Sequence, residues 1–147
     1  MRLYGEVYET RPYFGLIATP PRALVVIVDP DKLVADMYAL GLSQRGFRVL
    51  RHETGAAFLA WIRGERPDLL VIEWELSDLS CEAILIAMRK IHRAILIPVV
   101  VLTAYKHVDG GAHPASHLSV AAWLEKIHTP PNELADVLER LTSPAGG

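Results

Sequence analysis

The sequence contains a single cysteine, Cys81, so the chain cannot close an internal disulfide, and that usage suits a reducing cytoplasm. It has no apolar run near the roughly 18 residues that a membrane span requires; the best stretch, Ile95–Ala104, is interrupted by Pro98. The N-terminus, MRLYGEVYETRPYFG, carries Glu6 and Glu9 and lacks the unbroken apolar segment of a signal peptide. No excess of positive charge is present either. Fifteen Lys and Arg stand against seventeen Asp and Glu, for a net charge of -2, which gives no reason to expect nucleic acid or an anionic membrane as a partner. Glycine is missing where a nucleotide-binding loop would need it, because the first apolar run is followed by VDPDK.

What remains is a chain of 147 residues, half hydrophobic and about a fifth charged, long enough for one domain with a substantial core. Residues 1–21 read as an N-terminal arm, with Tyr4, Tyr8, Tyr13 and Phe14 scattered among charges and Pro20–Pro21 at its close. A short strand over Leu3–Tyr8 is weakened by Gly5. The domain proper is expected over residues 22–147.

From Leu24 onward apolar runs alternate with helical periodicity. Leu24–Val28 is a strand ending at Asp29, and Asp31 is placed to cap a helix with Leu33, Val34, Met37, Tyr38 and Gly41 on one face, ending near Gly46. Phe47–Arg51 reads as an edge strand. Thr54 caps a helix that buries Phe58, Leu59 and Ile62. Leu69–Ile72 is a buried strand closed abruptly by Glu73, and Ile84, Leu85, Met88 and Ile91 follow at helical spacing. Ile95–Leu102 and Val120–Leu124 are the remaining strands. Pro130 and Pro131 open a last helix bearing Leu134, Val137, Leu138 and Leu141.

Five strand–helix repeats imply an α/β fold: a right-handed, doubly wound parallel sheet. The fourth helix should be irregular, since Gly110, Gly111 and Pro114 all oppose it within AYKHVDGGAHPASHLS. His107, His113 and His117 crowd that stretch, but no cysteine or acid completes a tight metal set, so they read as loop residues. Cys81 and the three tryptophans, Trp61, Trp74 and Trp123, read as packing residues rather than as a redox sensor or cofactor stack.

Ligands of open α/β sheets gather beyond the carboxyl ends of the strands. The residues found there are Asp29, Glu73, Thr103 and Lys126: two carboxylates, a hydroxyl and an ammonium.

Over Arg22–Thr142 this order resembles the receiver domain of two-component response regulators, on the segments LVVIVDPD, PDLLVIEWELSD, IPVVVLTA, AAWLEK and PPNELADVLERL. The resemblance implies the flavodoxin-like five-stranded sheet of order 2-1-3-4-5. It also implies a site where acids hold Mg²⁺, an aspartate ending strand three accepts a phosphoryl group, and a threonine and a lysine contact the phosphoryl oxygens.

Carried over by position, Asp29 matches the first acid, Thr103 the switch hydroxyl, Lys126 the lysine and Trp123 the switch aromatic. The second acid falls on Pro30, which offers no side-chain ligand, and the phosphoacceptor position falls on Glu73. The family's proline after the lysine is Ile127, and its glycine before helix three is Cys81. Asp31, the acid nearest to the missing one, is counted in the receiver pocket with Asp29, Glu73, Thr103 and Lys126, where it would replace that acid only by leaving the helix-capping role its position also gives it. Mg²⁺ demands near-ideal octahedral oxygen geometry, and Asp29 and Glu73 are a poor remnant of such a set, so no metal or other cofactor is expected. No catalytic residue is expected.

The sequence therefore reads as a stand-alone degenerate receiver, with only SPAGG after the last helical run. It would not be an enzyme and would act in the cytoplasm as a phosphorylation-independent interaction module. Its partners would be other signalling proteins (a histidine kinase, an output protein or a second copy of the chain), not nucleic acid or membrane. Two alternatives stay open: a conventional receiver phosphorylated by a histidine kinase, and a sensor of anions or small ligands through Thr103 and Lys126. Glu73 either substitutes for the phosphorylated state or fills a decayed pocket beside Lys126.

Overall fold

The chain's structure, a computed structural model, describes residues 6–8, 23–91, 97–104 and 119–143. Its elements in chain order are β1 (Glu6–Tyr8), β2 (Leu24–Val28), α1 (Lys32–Gln44), β3 (Arg48–His52), α2 (Gly55–Ile62), β4 (Leu69–Ile72), α3 (Cys81–Lys90), β5 (Val99–Thr103), β6 (Val120–Glu125), a 3-10 turn (Lys126–His128) and α4 (Pro131–Thr142). The arm residues outside 6–8, the expected fourth helix and its three histidines lie outside the described residues.

The strands form one sheet in the order β1-β3-β2-β4-β5-β6. From β2 to β6 every pairing is parallel, so the five strands counted from Leu24 stand in the flavodoxin-like order 2-1-3-4-5. β1 adds a sixth, antiparallel strand, opposing Glu6 to Arg51, Val7 to Leu50 and Tyr8 to Val49. This corrects the edge position expected for residues 47–51, since β1 pairs along their outer side. Pro98 falls just before β5, where its missing N–H removes no ladder bond inside the strand.

Alternation along each strand divides the core in two, as successive side chains point to opposite faces. Val26, Val28, Leu70 and Ile72 face α2 and α3, meeting Phe58, Trp61, Ile84, Leu85 and Met88. Val25, Ile27, Leu69 and Val71 face α1 and α4, meeting Tyr38, Leu42, Leu134 and Leu138. Two helix starts follow the sequence signals: the Asp31 side chain accepts from Val34 N–H at 3.2 Å and Thr54 from Ala57 N–H at 3.1 Å; α3 is capped in the same way by Ser80, which accepts from Ala83 N–H at 3.0 Å. Gly46 ends the turn after α1 at φ 92°, a conformation that favours glycine.

One helix is rotated from its expected setting. Leu33 is 81 % exposed and Met37 47 %, while Ala35, Tyr38, Ala39, Leu42 and Ser43 are the residues α1 buries. Small residues on the inner face let α1 approach its neighbours closely. A Cβ at Gly41 would lie 2.5 Å from the Pro131 Cβ of α4. At the other end Arg45 pairs with Asp136 at 2.7 Å and with Glu139 at 2.5 Å. Leu59 and Ile91 are likewise only partly buried, with Trp61 rather than Leu59 completing the inner face of α2.

Candidate functional site

The connection after β2 runs to β3 on one side, and β4 lies on the other, so the carboxyl ends of β2 and β4 flank the point where such sheets place their ligands. Asp29 follows β2 and Glu73 follows β4, and both are buried, Glu73 to 4 % exposure. Lys126, in the turn after β6, reaches back across the end of β5 to both. Its Nζ lies 2.7 Å from Asp29 Oδ2 and 3.0 Å from Glu73 Oε1.

The Glu73 carboxylate collects further donors. Ala104 N–H donates to Oε1 at 3.0 Å, Glu75 N–H to Oε2 at 3.1 Å, and the Thr103 hydroxyl is hydrogen-bonded to the same carboxylate. Asp31 N–H donates to Asp29 Oδ1 at 2.9 Å. Asp29, Glu73, Thr103 and Lys126 thus form one connected cluster. The Asp31 carboxylate does not join it, because it caps α1 and contributes only its N–H.

Burial and pairing compete at each group. At Glu73 burial works to raise the carboxyl, but the bonds from Thr103, Ala104 and Glu75 and the charge of Lys126 more than offset it and hold it below the ordinary value. At Asp29 burial wins over the bonds from Lys126 and Asp31, and its carboxyl is raised. Burial works to lower the Lys126 ammonium, and the two carboxylates outweigh it and hold it above the usual lysine value.

This arrangement offers little to a divalent cation. Position 30 has no side-chain donor, Asp31 is turned to its helix, and oxygens of Asp29 and Glu73 already accept from the Lys126 ammonium. Among the described residues no three His, Cys, Asp or Glu side chains are grouped to hold a metal ion. The residues do not fit an octahedral Mg²⁺ set.

Trp123 is half-buried on β6, its ring 5.2 Å from that of Trp74 and tilted by 58°. The pair ties the segment after β4 to β6, as Glu73–Lys126 does beside it. Trp74 also opens a cavity of about 470 Å³ formed by the loop to Glu82. Cys81 is among its lining residues, 1 % exposed, its thiol pushed up to about 12 by burial and by the Glu73 charge, so it stays protonated and unreactive.

Three contributors escaped the sequence. Arg51 is buried and donates from Nε and Nη2 to the Asp29 carbonyl, and from Nη2 to that of Pro30, fixing the turn that carries Asp29. The Asp78 carboxylate accepts from Gly55 and Ala56 N–H at 3.1 and 2.8 Å, fastening the loop after Glu73 to the start of α2. The Tyr38 hydroxyl donates to the Thr129 carbonyl at 2.6 Å and to that of Lys126 at 3.4 Å. All three reach main-chain groups distant in sequence, for which residue patterns carry no signal.

Comparison with known proteins adds a family. The model of the response regulator receiver domain matches residues 25–137. Regulatory protein VanRc of Enterococcus gallinarum is 35 % identical over 80 residues, covering 54 % of this chain and 33 % of that protein. The phosphate regulon transcriptional regulatory protein PhoB of Pseudomonas aeruginosa is 28 % identical over 85 residues, covering 58 % and 37 %. The matched part of the chain spans about a third of the length of these curated relatives. Among solved structures, chemotaxis response regulator CheY4 of Vibrio cholerae aligns with a TM-score of 0.73 at 21 % identity, covering 81 % of this chain and 98 % of that one. The receiver domain of Francisella response regulator 1452 aligns at 0.70 and 22 % identity, covering 83 % and 100 %. At those identities the structural likeness shows the fold alone. Among the described residues no helix is long and apolar enough to cross a membrane.

Proposed function

The chain belongs to the response regulator receiver family of two-component signalling, and from that premise we propose that it is a degenerate receiver which signals without being phosphorylated, through contacts with other signalling proteins. Residues 22–147 would be the receiver unit, with the preceding arm contributing β1 to its sheet. Its partners would be a histidine kinase, an output protein or a second copy of the chain, in the cytoplasm, with no enzymatic turnover of its own.

One observation carries the proposal. Lys126 and Thr103 stand at the positions that, by the family resemblance, contact phosphoryl oxygens, and both are bonded to the Glu73 carboxylate, with Ala104 N–H at 3.0 Å completing the set. The acceptor position thus already presents an anion to those donors. Phosphoryl transfer depends on positioning and on neutralising charge, and here the lysine is committed to two carboxylates while the octahedral ligand set is incomplete. We therefore expect no Mg²⁺-dependent step. The same commitment argues against an anion sensor, since a free anion would have to displace Glu73 from its donors.

Incubation with acetyl phosphate and Mg²⁺ followed by intact-mass measurement tests the proposal. No stable phosphoryl adduct is expected; an adduct mapping to Glu73 or Asp29 would overturn it. Capture of a signalling partner compared between wild type and Glu73→Ala then separates a functional substitute for phosphorylation from a decayed pocket. Loss of binding in Glu73→Ala, with binding kept by pocket-remote variants, identifies the functional substitute.

A further inference from the structure

Among the described residues, the turn that carries Lys126 has few other attachments. The 3-10 segment Lys126–His128 has no side-chain cap at its start, none of its residues is buried, and Ile127 is 81 % exposed. Single 3-10 turns have poor internal hydrogen-bond geometry and do not hold themselves. The Lys126 ammonium nevertheless lies within 3.0 Å of two carboxylates borne by different loops, which requires its backbone to be fixed.

Behind the turn lies Tyr38. Its ring is buried between the sheet and α4, and its hydroxyl donates at 2.6 Å to the Thr129 carbonyl and at 3.4 Å to the Lys126 carbonyl. These are the two ends of the turn, which Thr129 N–H also links by its 3.3 Å bond to the Lys126 carbonyl. Glycine at position 41, three residues along the same helix, allows α1 to press against Pro131 immediately beyond the turn. A phenylalanine at 38 would fill the same core volume, so what the hydroxyl adds is its hold on these carbonyls.

We propose that Tyr38 is a positioning residue for the candidate site, its hydroxyl holding the Lys126 turn so that Nζ stands between Asp29 and Glu73. This rests on the reading above, in which the Lys126–Glu73 pair fixes the state of the domain, and it assigns control of that pair to α1.

The test is Tyr38→Phe, read by acylation of Lys126 with an amine-reactive ester and peptide mass mapping, with exposed Lys32 and Lys90 in the same protein as references. Loss of the hydroxyl is expected to raise the Lys126 rate relative to the references by about fivefold, the population shift corresponding to one ordinary hydrogen bond. A purely structural role would lower global stability without changing the Lys126 rate in the folded protein, and that result overturns the proposal. Should Tyr38→Phe fail to fold, 3-fluorotyrosine at position 38 keeps the hydroxyl and supplies a fluorine resonance beside the turn. Lys126→Met is expected to move that resonance and Lys32→Met to leave it in place; an unmoved resonance in Lys126→Met overturns the proposal. Neither readout involves phosphorylation or a partner, so its failure is distinct from failure of the proposed function.

Discussion

The Arg51 guanidinium holds the Asp29 carbonyl from two of its nitrogens, Nε at 3.2 Å and Nη2 at 2.9 Å, while itself only 5 % exposed. A side chain on β3 thus determines where the acid after β2 can stand, without touching its carboxylate in these contacts. The planar fork is what permits two donors on one oxygen, and a lysine cannot reproduce it. Arg51→Lys is expected to lower the unfolding free energy by about 2 kcal/mol. Urea denaturation measures this, and an unchanged midpoint would count against the fork.

Removal of the site's ammonium should cost more. Lys126→Met leaves Asp29 and Glu73 buried without a counter-charge, a loss expected to be about 3–5 kcal/mol at neutral pH. Without the lysine both carboxyls are pushed upward, so they take up protons more readily in the folded mutant than in the wild type. The deficit should therefore shrink as pH falls from 7 towards 5. Denaturation at the two pH values checks this, and a constant deficit would place its origin in lost packing instead.

His52 supplies a separate acid dependence. Its ring is 1 % exposed between Phe58 and Trp61, neither nitrogen has a hydrogen-bond partner among the described residues, and burial lowers its pKa from 6.5 to about 4. Between those values the unfolded chain binds the proton and the folded chain does not. The stabilisation is thus complete above pH 6.5 and is lost as pH falls towards 4, by roughly 3 kcal/mol in all. His52→Leu should flatten the stability–pH curve across that window; parallel curves for the two proteins would show that another group is responsible.

Gly41→Ala sets helix propensity against space. Alanine favours the helix by about 1 kcal/mol, but its Cβ would meet that of Pro131 at 2.5 Å, and overpacking of this kind costs about 1–3 kcal/mol. A lower melting temperature is expected, although alanine is the better helix former. A higher one would mean that α1 and α4 can separate freely.

The sequence displayed much of this fold because its signals are local. Leu24–Val28 and Leu69–Ile72 are unbroken apolar runs between turn residues, and Asp31 and Thr54 cap the helices they precede. Convergence of Asp29, Glu73, Thr103 and Lys126 followed from strand order alone. The setting of α1 did not: Leu33 and Met37 have helical spacing on an outward stripe, and two of the inward residues beside Tyr38 and Leu42 are alanines, Ala35 and Ala39, that hydropathy ranks below them. β1 was obscured because Gly5 weakens the strand locally, whereas the pairing with β3 comes from the rest of the sheet. Arg51 and Tyr38 act through carbonyl groups, which every residue possesses, so nothing in the residue types identifies their targets.

β1 has a consequence for how the sheet meets other chains. A strand at the border of a sheet offers unpaired amides and carbonyls onto which a foreign segment can zip. Among the described residues that border on the β3 side is β1, three residues long and antiparallel, too brief to template much additional pairing. Among the described residues the longer border belongs to β6, with six residues. Strand addition and aggregation by edge pairing are therefore biased away from the arm side of the sheet and towards the strand that carries Trp123.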